Sequence, residues 1–119
     1  MSAAPPLMGS VSGFVAAVND NSRIRRILQG WSPTITVRAT DTDEQVHFSV
    51  AGALLSPPVS GAGDAAHLVT LQGTQDTLCK VFGGSLNPVR ANLDGRLAVF
   101  ASERDSVKLD AVCLVLWGV

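Results

Sequence analysis

"GGSLNPVRANLDGRLAVF", residues 83 to 100, decides how the chain folds. Gly83 and Gly84 stop whatever helix precedes them, because glycine readily takes the backbone angles that end one. Asn87-Pro88 then restarts a helix, with Asn as the cap and Pro at the first helical position, where its missing N–H costs nothing. One or two turns later Gly95 ends that helix. "RLAVFAS" follows in period two, with Leu97, Val99 and Ala101 facing one way. The stretch contains no nucleophile, metal cage or phosphate cradle. It reads as a helix–turn–helix–strand connector that lays two short helices over a sheet, so its local detail serves shape.

The same periods organise the rest of the chain. Val11, Phe14, Val15 and Val18 follow an i, i+3, i+4, i+7 pattern that predicts an amphipathic helix from Ser10, after a flexible tail over residues 1–9. A second short helix starts at Ser22, carries Ile24, Ile27 and Leu28 on one arc, and stops at Gly30. "TITVRAT" and "QVHFSV" alternate in period two. The polar turn "DTDE" between them makes an antiparallel hairpin. "ALLS" is a short third strand ended by Pro57 and Pro58, "PPVSGAGDA" a flexible surface loop, and "HLVTLQ" a fourth strand. Thr74 caps a helix with Leu78, Val81 and Phe82 on its buried arc. "ERDSVKLDAVCLVLWGV", residues 103–119, reads as the last helix, capped by Ser102 or Asp105; Val112, Val115 and the short apolar run also suit a strand. The expectation is one α+β domain over residues 10–119, its five-stranded, mainly antiparallel sheet covered by helices.

Composition narrows the function. Of 119 residues, 46% are hydrophobic and 16% charged, too apolar for a disordered chain. A net charge of −1 leaves no basic footprint for nucleic acid. The longest apolar run, Ala111 to Trp117, is far short of the ~20 residues a membrane span needs. "MSAAPPLMGS" lacks the charged and apolar regions of an export signal, and Cys79 and Cys113 read as reduced thiols, so a cytoplasmic location is expected.

The stretch 83–100, with "HLVTLQGTQDTL" upstream and "SVKLDAV" downstream, resembles the sterol carrier protein-2 family over roughly residues 30–115. Its signature is a Gly, a short polar step, Leu-Asn-Pro, then a short helix ending in Gly before a strand. The chain departs from that pattern at Asn92, where the family carries a large apolar residue, at Asp94, where Gln is frequent, and in "ASERD". The resemblance implies an apolar tunnel between sheet and helices, holding a fatty acyl chain, acyl-CoA or sterol-like ligand without transforming it. In the tunnel that the resemblance implies, Phe14, Leu78, Val81, Phe82, Leu93, Val112 and Leu116 are the expected lining, with Trp117 at its edge. The expectation is a non-catalytic lipid-binding or carrier protein with no cofactor.

Polar candidates carry little chemistry. His47 faces away from Val46 and Phe48 in mid-strand, and His67 opens a strand; their spacing does not suit a metal site. Asp41, Asp43 and Glu44 form a solvated turn without the glycine a calcium loop requires. Cys79 is an inert thiol, since its neighbour Lys80 points elsewhere on the helix. Arg23, Arg25 and Arg26 fan around a solvated helix face that can touch anionic head groups or a membrane transiently, with Trp31 as an interface anchor. Ala111 to Trp117 are apolar around the whole helix, so one side needs a ligand, a helical layer or a second copy of the chain. The last option is the alternative reading, a structural or dimerisation module.

Overall fold

In a computed structural model, residues 6–63 and 67–117 are described, apart from the side chains of Pro6 and Trp117. Two helices open the chain: α1 (Pro6–Asn19) and α2 (Ser22–Leu28). Four strands follow: β1 (Thr34–Ala39), β2 (Gln45–Ala51), β3 (Leu54–Leu55) and β4 (Val59–Ser60). Then come β5 (Leu68–Gly73), α3 (Gln75–Phe82), α4 (Pro88–Leu93), β6 (Leu97–Phe100) and α5 (Glu103–Trp117).

The sheet order is β3-β2-β1-β5-β6, with β4 paired to β2. β1 and β5 run parallel and the remaining pairings are antiparallel. Register explains the two faces. Ile35 sits opposite Phe48 and Val69, and Val37 opposite Val46 and Leu71. Leu71 in turn faces Val99, so one face is apolar from β2 across to β6. α1 and α3 cover it, with Leu7, Val11, Val15, Val18, Leu78 and Val81 buried in the core. The opposite face carries Thr34, Thr36 and His47 and is partly roofed by the segment after β4. There the Gly63 N–H donates to Thr36 Oγ1 at 3.0 Å.

Two boundaries differ from the sequence expectation. α1 starts at Pro6, so residues 6–9 belong to the helix and not to a tail. Proline suits a first turn, and Leu7, fully buried, extends the Val11–Val15 arc one turn back. Residues 1–5 lie outside the described part. β4 lies in the segment read as a loop. It is two exposed residues, Val59 and Ser60, paired with His47 and Val46 of β2, and too short to show a period.

The connector takes its expected form. Asn87 Oδ1 accepts the N–H groups of Val89 (2.8 Å) and Arg90 (3.4 Å). Gly84 (φ 88°) and Gly95 (φ 77°) hold left-handed backbone that a side chain would strain. Thr74 caps α3 through the Thr77 N–H, and Ser102 caps α5 by accepting from the Asp105 N–H at 3.1 Å.

Candidate functional site

α5 is seated at its start by polar contacts. Asp105, only 2% exposed, turns inward. Its Oδ1 accepts the indole N–H of Trp31 at 2.7 Å and the Nε2–H of His67 at 2.8 Å. One turn on, Lys108 Nζ donates to the Ile27 carbonyl at 2.8 Å, near the C-terminal end of α2. Burial opposes the charge on Asp105. Hydrogen bonds from Trp31, His67 and Ser102 outweigh that opposition and hold the carboxyl below its ordinary value. Trp31 is therefore buried at 5% exposure, and its expected place at an interface is corrected. A hydrogen bond 74 residues long in sequence gives no local signal. The one readable sign is that Asp105 falls in phase with Leu109, Val112 and Leu116, a polar residue on the apolar arc.

Beyond that seat α5 packs on α2 and α4, and its second half closes an apolar cavity of about 310 Å3. Leu71, Leu97 and Val99 floor it, and Val81, Phe82 and Phe14 form one wall. Pro88, Val89 and Asn92 come from α4, and Ser106, Leu109, Asp110, Val112 and Cys113 from α5. Asn92 Nδ2 donates to the Leu97 carbonyl at 2.8 Å, tying α4 to the outer edge of β6. Burial, with the Asp110 charge adding to it, pushes the Cys113 thiol up to about 11. A second cavity of about 440 Å3 lies against α1, among Gly9, Ser10, Gly13, Ala17, Gly83, Gly84 and Leu116. Phe14 and Phe82 border both cavities, edge to face with centroids 5.0 Å apart.

The residues expected in the tunnel separate into groups. Phe14, Val81, Phe82 and Val112 line the first cavity, and Leu116 lines the second. Leu78 lies fully buried beneath them and borders neither. Leu93 is 78% exposed and outside both. Ala91 takes the inward position of α4, and two residues further round the helix the side chain points about 200° away. The Trp117 side chain lies outside the described residues. Arg23, Arg25 and Arg26 are exposed on α2 and border neither cavity. His47 is half-buried and donates Nδ1–H to the Gly61 carbonyl at 2.9 Å. Asp41 accepts from the Gln75 N–H, and Asp43 pairs with Arg38 at 3.3 Å. Among the described residues no three His, Cys, Asp or Glu gather as metal ligands, and no helix is long and apolar enough to cross a membrane.

The mixed sheet packed with helices has the fold of the sterol carrier protein-2 domain. Among solved structures, the sterol carrier protein domain 2 of Helicoverpa armigera matches all of this chain and 96% of its own, at TM-score 0.69 and 15% identity. A palmitated sterol carrier protein-2-like protein of Aedes aegypti matches 91% of both chains at TM-score 0.59 and 15% identity. The stereoselective inverting sec-alkylsulfatase of a Pseudomonas species matches 77% of this chain at TM-score 0.59 and 17% identity, and this chain spans only 14% of that enzyme. No family model matches the sequence, and no curated protein does.

Proposed function

We propose that the protein binds and carries a lipid, with its alkyl portion in the cavity between β5–β6 and helices α3, α4 and α5. The observation that carries this reading is the lining itself, apolar on floor and walls with polar groups confined to Asn92, Ser106, Asp110 and Cys113. Its volume of about 310 Å3 lies at the small end of the ~300–1,000 Å3 typical of ligand pockets. A long alkyl chain that buries roughly 500 Å2 gains on the order of 12 kcal/mol gross at ~25 cal/mol per Å2, which after about 4 kcal/mol of ordering costs leaves the ~8 kcal/mol of micromolar affinity. The likeness to sterol carrier protein domains, one of them palmitated, supports the same reading. The arginines of α2 supply positive charge for transient contact with an anionic membrane surface. The reading assigns no catalytic role to any residue. Native mass spectrometry of the purified protein and titration with the uncharged dye Nile red test it. A co-purified lipid or saturable dye binding at micromolar concentration is expected; neither appearing overturns the reading.

One observation favours a second reading. Val107 and Leu114, two turns apart on α5, are 64% and 58% exposed. That outward stripe suits a second copy of the chain, making the domain a dimerisation module. Sedimentation equilibrium decides: a dimer that persists on dilution and is lost in Leu114→Asp supports it, and a monomer removes it.

A further inference from the structure

The polar part of the cavity lining is rich in hydrogen-bond acceptors and poor in donors. Asp110 offers two carboxylate oxygens, Asn92 its Oδ1 and Ser106 a hydroxyl oxygen. On the donor side, one N–H of Asn92 is already spent on the Leu97 carbonyl. What remains is its second N–H, the Ser106 hydroxyl and the weakly donating Cys113 thiol. No Arg or Lys stands among the described lining residues. None of the ion pairs among the described residues takes up Asp110. The three arginines of α2 border neither cavity, and Lys108 is committed to the Ile27 carbonyl. The one charged side chain on the described lining is therefore the negative Asp110. The Asp110 charge also adds to burial in opposing a thiolate at the neighbouring Cys113.

A carboxylate or phosphate in such a site would find few donors and no cation on the lining and would face the like charge of Asp110. A hydroxyl fits the inventory, since it donates to Asp110 or Asn92 and accepts from Ser106. We propose that this cavity selects lipids with an uncharged, hydroxyl-bearing head, of the long-chain alcohol or monoacylglycerol type, and that Asp110 excludes anionic heads. This rests on the carrier reading and specifies its ligand. The arginines and the cavity then act on different molecules, the arginines on an anionic surface and the cavity on a neutral cargo.

The test is displacement of Nile red at pH 8 by 1-dodecanol and by dodecanoate, which share one chain length. Dodecanol, the more apolar of the two, partitions better into any greasy site, so the decisive quantity is how the ratio of the two affinities changes with Asp110. In the wild type dodecanol competes more strongly. Asp110→Asn is expected to raise dodecanoate affinity about five-fold while moving dodecanol less than about two-fold, the size set by like charges a few ångströms apart at a partly hydrated site. Asp110→Lys is expected to bring dodecanoate level with dodecanol or beyond. Asp110 is exposed, so both variants keep the fold, which their thermal midpoints verify. Equal competition in the wild type, or a ratio unmoved by both substitutions, overturns the inference and leaves the carrier reading standing. Displacement of bound dye by neither competitor likewise overturns the inference alone, whereas no Nile red binding together with no co-purified lipid overturns both.

Discussion

Asp105 draws Trp31, His67 and Ser102 onto one buried carboxylate, so its loss is felt in three segments of the chain. Asp105→Ala leaves the buried Trp31 indole N–H without its acceptor, and a stability loss of about 2–3 kcal/mol in urea unfolding at pH 7 is expected. Trp31→Phe removes one donor and should cost about 1 kcal/mol. Because the folded carboxyl is more acidic than the ordinary 3.8, its contribution is full above about pH 5. It drains as pH falls through 3.8 toward the folded value, so the urea midpoint should drop over that interval and drop less in Asp105→Asn. Asn87 has a simpler role. It holds two N–H groups of α4, and Asn87→Ala should cost about 1 kcal/mol, read as a shift in midpoint at unchanged slope.

At the scale of elements, α5 has a polar seat and an apolar second half. Asp105 and Lys108 fix the first two turns, while Leu109, Val112 and Cys113 face the cavity. Cys113 reports on that half directly. With its thiol near 11, alkylation by iodoacetamide at pH 8 in a Cys79→Ser background should run roughly a hundred-fold below that of an ordinary exposed thiol. The rate should climb about ten-fold per pH unit and fall further when the cavity is filled. A rate that levels off at about pH 9, as an ordinary thiol's does, would place Cys113 outside the cavity. α4 shows how a short helix is held at both ends, by the Asn87 cap and by the Asn92 bond to Leu97. An apolar residue at 92 would fill more of the cavity and lose that tether. The Asn therefore leaves cavity space and fixes the α4–β6 corner.

For the whole molecule, a ligand bound only by the folded state raises stability by mass action. A bound lipid at a hundred times its dissociation constant should add about 2.7 kcal/mol, seen as a concentration-dependent rise in thermal midpoint. A midpoint independent of Nile red or dodecanol would contradict a cavity that binds them. Local order in this molecule was legible because period and capping are short-range. Period two marked Ile35, Val37, Val46 and Phe48 for one face, the helical period marked Val11, Val15, Leu78 and Val81 for the core, and Thr74 and Asn87 announced their helices. The α+β class and its mainly antiparallel sheet followed from those signals. Pairings that join distant segments were not legible, because side chains that meet across 74 residues leave no spacing between them. So the tertiary structure alone turned Asp105 inward toward Trp31 and His67, paired Val59–Ser60 with β2, and aimed Leu93 at solvent. It also chose which apolar residues bound a cavity and which fill the core. Leu78 and Val81 share one arc of α3, and only the placement of α4 and α5 leaves space beside one and none beside the other.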